Sequence, residues 1–369
     1  MVNTHTTPQR LVSHLSLKQF RCFTEREFDF NAPLVLIEGA NGSGKTSLVE
    51  ALHFLCYVRS FRALSPREMI NHDQQGFFVK VTLVSDGIED SLQAGFAGAQ
   101  RLVKINDQTA KSYKELIDHY RVITITEHDL GLIQEGPALR RQFIDLAMGI
   151  QNPAWAEYLK KATDLHEQRS RALYNSSCTP SLYEAWTATE WEHTRMIQLK
   201  RIEYLSELEE TVHTLLSTEL FKSAAPVITL QYQPKINCLQ DSYAEFLRLN
   251  PGLYTQETAA CRTLFGFHLD DIVIHFGGKQ SRYYASRGQQ KLTLLVLKAA
   301  QTMLLPPSKG PTLIILDDFV TDLDDTRIRQ LFTLFIGLGA QLFVTSPRID
   351  PTLREIIAQS GYPHQIITL

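Results

Sequence analysis

Several features that would announce a particular kind of protein are missing from this chain. Cysteine is scarce, five in 369 residues, and Cys22, Cys56, Cys178, Cys238 and Cys261 are scattered with no C-x-x-C spacing. That argues against both a disulfide framework and a zinc site, and the reduced cytosol is the expected location. No apolar run approaches the roughly 18 residues of a membrane span, and the first ten residues are polar, so neither a membrane partner nor a secretory signal is expected. Nor is positive charge in excess: 37 Lys and Arg stand against 40 Asp and Glu, a formal net charge of −3. A global basic field for nucleic acid is therefore lacking. Any such binding has to come from a local patch or from a surface assembled by two subunits. The length suits two or three domains of an ordinary globular composition.

What is present is organised around one stretch, Leu34 to Ala51, an apolar run that breaks into glycines and resumes with helical periodicity. Gly39, Ala40, Asn41, Gly42, Ser43, Gly44, Lys45 and Thr46 satisfy G-x-x-x-x-G-K-[ST] and are followed by Ser47. The glycines let a tight backbone turn its N–H groups inward toward phosphate oxygens. Lys45 suits the β- and γ-phosphates, Thr46 offers a hydroxyl to Mg²⁺, and the helix that starts here aims its positive end at the anion. Leu34 to Ile37 reads as the entering strand, and Leu48, Leu52 and Leu55 as the buried face of the helix.

The remaining chain predicts an ordered series of elements. Leu15, Leu17, Phe20, Phe23, Phe28 and Phe30 suggest two strands before the loop, with Arg21 at a strand end from which it can reach a phosphate oxygen. Arg59-Ser-Phe-Arg62 breaks the helical pattern. Alternation over residues 77–84, 92–96 and 101–105 then predicts an antiparallel β region. Val122 to Ile125 is one more short strand, and Gly136-Pro137 opens a helix. Trp155 to Leu165 and the glycine- and proline-free stretch Ser181 to Ala225 predict two long amphipathic helices joined near residues 176–180, the second carrying the stripe Ile202, Leu205, Leu208, Val212 and Leu215. Val227 to Tyr232 and Leu269 to Phe276 read as strands. Basic residues Lys160, Lys161, Arg169, Arg171, Arg195, Lys200 and Arg201 are mixed with acids, so a solvated face is the default and a nucleic-acid contact the sharper alternative.

Two further signals lie near the C-terminal end of the sequence. Ser286-Arg-Gly-Gln-Gln290 opens a helix, with Ser286 as N-cap and Gly288 leaving backbone donors at a second anion-ready helix start. Pro311 to Asp318 is an apolar strand ending in the paired carboxylates Asp317 and Asp318. Asp317 fits the acid that holds the metal shell, and Asp318 the group that orients or deprotonates an attacking water. Lys45 and Asp317 lie roughly 270 residues apart, more than one domain length. A helical insertion therefore splits one nucleotide-binding sheet.

In this order the segments Gly39 to Thr46, Gly136-Pro with Arg140, Arg141 and Asp145, Ser286 to Gln290, Leu316-Asp-Asp318 and Thr321-Asp-Leu-Asp324 resemble the RecF family over nearly the whole length. The heads of SMC proteins and ABC ATPases are similar. The resemblance implies an α/β, ABC-ATPase-like P-loop domain with an inserted helical lobe containing a short antiparallel hairpin. Residues 11–111 with 255–369 would form the ATPase lobe, and 112–254 the helical lobe. It further implies ATP and Mg²⁺ as cofactors and a homodimer that sandwiches ATP, with Ser286, Gly288 and Gln289 facing the phosphate loop of the partner head. Asp324 would lie beside the nucleotide, and Gln134 would link Mg²⁺ to the helical lobe. The implied role is a weak, DNA-stimulated ATPase acting as a clamp on single-stranded, gapped or junction-bearing DNA, working with RecO and RecR to load RecA. A diverged head ATPase with a non-repair partner, as in defence, stays open. Departures are Gly266-Phe-His-Leu-Asp-Asp271, where the family carries proline and arginine, Arg287 in place of glutamine, and Thr321-Asp322 in place of serine and glutamate.

Overall fold

The computed structural model describes residues 10–98, 100–111, 115–116, 120–175, 179–218, 220–221, 226–306, 312–318, 324–349 and 351–369. It divides into two compact units, Met1–Asp129 with Leu305–Leu369, and Leu130–Leu304.

The first unit opens with the expected hairpin, β1 (Arg10–Phe20) and β2 (Phe23–Asp29), then β3 (Leu34–Glu38), the glycine loop and the helix Lys45–Tyr57. β4 (Gly76–Ser85), β5 (Ile88–Ala97), β6 (Gln100–Ile105), β7 (Gln108–Thr109) and β8 (Arg121–Thr126) follow. β9 (Ile228–Gln233), β10 (Asp271–Phe276) and β11 (Lys279–Gln280) belong to the second unit. β12 (Thr312–Asp317), β13 (Gln341–Ser346) and β14 (His364–Thr368) complete the first.

Two sheets result in the first unit. The order β2-β1-β4-β5-β6-β7 is antiparallel throughout, and β14-β3-β13-β12-β8 is parallel throughout. The helix Lys45–Tyr57 touches both. Its Phe54 ring meets Phe77 of β4 edge-on at 5.2 Å, while Tyr57 donates to the Val122 carbonyl of β8 at 2.5 Å. Because it is covered on both sides, its apolar residues are not confined to one stripe, and Leu48, Val49, Ala51, Leu52, Phe54 and Leu55 are all buried. β3 is likewise apolar on both faces, as a strand of a covered parallel sheet must be. Parallel pairing sets Asp317 beside Thr345 on one side and Thr126 on the other, and Thr345 beside Ile37. The carboxyl ends of β3, β12 and β13 therefore converge where β3 releases the glycine loop. Open parallel sheets bind ligands at such ends.

In the second unit Gly136 is the N-cap and Pro137 the first residue of the helix Pro137–Gln151, as expected. Helices Pro153–Tyr174 and Pro180–Leu216 are capped by Asn152 and Thr179. They run antiparallel: Tyr158 meets His193, His166 meets Glu190, and Arg169 meets Thr187. Leu205, Leu208, Val212 and Leu215 are buried as read, but Ile202 is on the exposed side, so the stripe starts one step later. Part of the expected 176–180 connection, residues 176–178, lies outside the described residues. The helix Arg287–Met303 packs against Pro180–Leu216, and β11-β10-β9 forms a separate antiparallel sheet.

These units shift both expected lobe boundaries. Residues 120–129 go with the ATPase unit because β8 pairs with β12, and 255–304 go with the helical unit because β10 pairs with β9 and the Ser286 helix packs on Pro180–Leu216. The strand expected from Leu269 begins at Asp271. Phe267–Leu269 is a 3-10 turn that leaves Leu269 exposed. No helix among the described residues is long and apolar enough to cross a membrane.

Candidate nucleotide site

The glycine loop has the backbone its sequence requires. Gly42 and Gly44 sit at φ 84° and 107°, where other residues are strained. A Cβ at Gly44 would also meet the Phe23 ring at 2.6 Å and Cys22 Sγ at 2.8 Å. The helix that follows has no side-chain cap, so its first N–H groups are left for another acceptor. Lys45 is buried with its ammonium donating to the carbonyls of Gly39 at 2.8 Å and Ala40 at 3.1 Å. Asn41 is exposed, and the Ser43 hydroxyl is buried with no partner among the described residues.

Beyond the loop, Thr46 donates to Asp317 Oδ1 at 3.1 Å, and Thr345 donates to the same oxygen at 2.7 Å. Thr345 also accepts from the backbone N–H of Asp318 at 3.0 Å, which fixes the turn after β12. Asp318 takes φ 50°, a left-handed conformation that costs a residue with a Cβ about 1 kcal/mol. Burial raises the Asp317 carboxyl above its ordinary range and the nearby Asp318 charge adds to this, opposed by the Thr345 and Thr46 hydroxyls. Asp317 is thus a buried acid short of positive charge. A loop lined by backbone donors, an uncapped helix start, a lysine and a hydroxyl–carboxylate pair fits a magnesium nucleotide: the donors suit phosphate oxygens, and Thr46 with Asp317 supplies the oxygen ligands a hard cation takes.

A second buried acid lies on the same helix. Glu50 is fully buried and receives Arg21 through two bonds, Nε at 2.8 Å and Nη2 at 2.6 Å, Arg62 Nε at 3.0 Å, and the Ser60 hydroxyl. Burial works against its charge, but the donors from Arg21, Arg62 and Ser60 together outweigh it and hold the carboxyl below its ordinary range. Arg21 also donates to the Glu68 carbonyl at 2.6 Å, so the residue expected to reach a phosphate is a clamp on Glu50. The Ser47 hydroxyl likewise accepts from Arg62 Nη2 at 3.1 Å. Glu50 and Arg62 were not singled out as functional. Their signals were a lone acid in an apolar helix and the break at Arg59 to Arg62.

The other expected site residues sit elsewhere. Asp324 caps the helix Asp325–Gly337 by accepting from Arg327 N at 2.9 Å. Residues 321–323 of that loop lie outside the described residues. Gln134, Ser286, Gly288 and Gln289 belong to the second unit. Ser286 and Gln289 form a capping box, each side chain accepting from the other's backbone N–H, which occupies the Gln289 amide oxygen. Gln134 donates to Gln290 at 2.7 Å, tying it to the start of the same helix.

The remaining motif residues brace that unit internally. Arg140 forms a bidentate pair with Asp271, Arg141 donates to the Asp270 carbonyl at 2.6 Å, and Asp145 holds Arg201, which also donates to the Phe267 carbonyl. Arg169 and Arg201 are fully buried in ion pairs, which removes them from the candidate nucleic-acid face.

A glycine loop and a strand-end aspartate on one parallel sheet, flanked by an antiparallel sheet and split by a helical unit, define a head-type P-loop ATPase. The chain belongs to the family described as the RecF/RecN/SMC N terminal domain, whose profile matches residues 11–356. Its relatives include the DNA replication and repair protein RecF of Natranaerobius thermophilus, 28% identical over 92% of each chain, and that of Halalkalibacterium halodurans, 27% identical over 92% of this chain and 93% of the other. Among solved structures, the recombination mediator RecF-ATPrS aligns with a TM-score of 0.82 at 22% identity, covering 100% of this chain and 98% of that one. The Smc head domain of Pyrococcus furiosus aligns at 0.55 and 15% identity, covering 97% and 93%. The resemblance and the head fold read from the sequence are borne out.

Proposed function

We propose that the chain is an ATP-driven DNA clamp of recombinational repair. ATP brings two heads together on single-stranded, gapped or junction-bearing DNA, slow hydrolysis releases them, and RecO and RecR act with the clamp to load RecA. The observation that carries the nucleotide part is the convergence of Thr46, Asp317 and Thr345 beside an uncapped, glycine-entered helix. The repair assignment is supported by relatives named for DNA replication and repair and by solved RecF structures described with ATP in the RecFOR pathway.

In this reading Lys45 exchanges its two loop carbonyls for phosphate oxygens, and the Ser43 hydroxyl and the helix N–H groups bind the same anion. Thr46 and Asp317 would hold Mg²⁺, which when bound would neutralise phosphate charge. Asp318 orients the attacking water and accepts its proton. Ser286 and Gly288, at the start of a capped helix, meet the γ-phosphate held by the other head. The closed dimer then persists only while that phosphate does, so ATP acts as the association ligand. A net charge of −3 on one chain fits a DNA surface completed by dimerisation.

The test is DNA affinity at fixed salt on a gapped duplex, with no nucleotide, ADP or ATP, and with ATP on Ser286→Arg. ATP should tighten binding, and Ser286→Arg should lose that gain while still binding ATP. Weak binding indifferent to nucleotide overturns the clamp and leaves a head ATPase with another partner.

A further inference from the structure

Within the second unit, three side chains from three separate segments converge: His166 of Pro153–Tyr174, Glu190 of Pro180–Leu216 and His268 of the Phe267–Leu269 turn. Each offers one ligand atom, and these atoms all lie within 4.8 Å of one another. His166 Nδ1 is 2.7 Å from Glu190 Oε1, and the two imidazoles lie against each other with ring centroids 3.7 Å apart. The outer nitrogens are held from behind by hydroxyls: His166 Nε2 stands 3.3 Å from Ser170 Oγ and His268 Nε2 3.5 Å from Thr263 Oγ1. That leaves the Nδ1 atoms for the interior. His268 Nδ1 is buried there with no hydrogen-bond partner among the described residues.

The backbone is shaped around the cluster. Gly266 adopts φ 132°, and a Cβ there would lie 2.8 Å from Glu190 Oε1 and 2.8 Å from the His268 ring, so a side chain would close the space between them. Glu190 Oε2 stands 3.1 Å from Arg169, whose guanidinium also contacts Glu257, so it is the other oxygen, Oε1, that is turned to the histidines.

We propose that His166, Glu190 and His268 form a binding site for a divalent cation of the zinc type, which ties the two long helices to the turn at 266–268. Two imidazoles and one carboxylate are the donor set of zinc and its neighbours, whereas Mg²⁺ and Ca²⁺ take oxygen. A bound cation would replace the 2.7 Å contact between His166 and Glu190 with the roughly 2.0–2.1 Å bonds zinc makes to imidazole. Each histidine already has the outer hydrogen bond that orients a ligating ring. The site needs no cysteine, which is why cysteine spacing argued against zinc.

The experiment titrates the full chain, stripped with a chelator, with Zn²⁺ at neutral pH in excess Mg²⁺ and without nucleotide, reading stoichiometry by native mass spectrometry. A parallel titration with Co²⁺ reads its visible absorption, which needs no variant. One zinc per chain, intense cobalt bands of low coordination number and a loss of about tenfold or more in affinity in His166→Leu are expected. His166→Leu is the mildest change because its ring is at the edge of the cluster, and circular dichroism checks that it folds. Less than one zinc per folded chain, cobalt bands of the hexaaquo ion, or equal zinc affinity in folded His166→Leu overturns the proposal.

Discussion

Glu50 and Asp317 are both buried acids of the same unit, and they are treated in opposite ways. Behind the loop, Glu50 is gripped by two arginines and a serine, and its charge is compensated inside the protein. At the strand ends, the hydrogen-bond donors to Asp317 among the described residues are two threonine hydroxyls, and Arg62 acts on it through charge without a hydrogen bond. The protein therefore provides a full set of donors for the carboxylate that anchors the helix and withholds it from the one that faces the loop. A buried acid with few compensating donors, next to a hydroxyl and a glycine-rich loop, is what the proposed function asks of a group that would meet a cation arriving with the nucleotide.

Breaking the Asp317 side has the largest expected effect. If Asp317 holds the cation as proposed, Asp317→Asn should lower ATP hydrolysis by about a hundredfold or more, and steady-state phosphate release checks it. The same change removes an undercompensated charge and should raise ligand-free stability by about 1 kcal/mol in urea denaturation. An equal loss of both would mean that the carboxylate is structural. Breaking the Glu50 side should do the reverse. Glu50→Gln leaves two arginines facing a neutral group and should cost about 3 kcal/mol of stability, read by the same method.

The smallest effect sharpens the contrast through pH. Glu50 has a folded value below its ordinary 4.5, so its stabilisation is present above that value and fades as pH falls through the lowered one. Asp317 has a folded value above its ordinary 3.8, so its contribution is full below 3.8 and is lost as pH rises through the raised one. Stability against pH for the unaltered chain minus Asp317→Asn should fall with rising acid-range pH, and minus Glu50→Gln should rise. Thr345→Val, which deletes the hydroxyl at 2.7 Å, should steepen the first slope by a few tenths of a kcal/mol.

What the sequence made legible was local. Gly39 to Thr46 and the strand ending at Asp317 are contiguous patterns whose chemistry is written in neighbouring residues, and the helix starts at Pro137 and Ser286 carry their own caps. What it hid depended on pairing across the chain. Arg21 finds Glu50 29 residues on, and nothing beside Arg21 distinguishes that partner from a phosphate. β8 looks like part of an insertion until it pairs with β12, almost 200 residues later, and the lobe boundaries followed that error. The Thr345 hydroxyl bond to Asp317 exists only because parallel register sets the two side by side. Arg169 and Arg201 read as surface charge because their acids, Glu257 and Asp145, are 88 and 56 positions away.

The left-handed backbone at Asp318 acts as a filter on how this ATPase can change. Aspartate and asparagine enter that region several-fold more readily than most side chains, because a short polar group can bond locally. Glutamate, one methylene longer, has no such ease, and would begin about 1 kcal/mol behind. A glutamate at this position is therefore more than one substitution away: the turn after β12 would have to relax first, and Thr345, which holds its N–H, is the residue that resists.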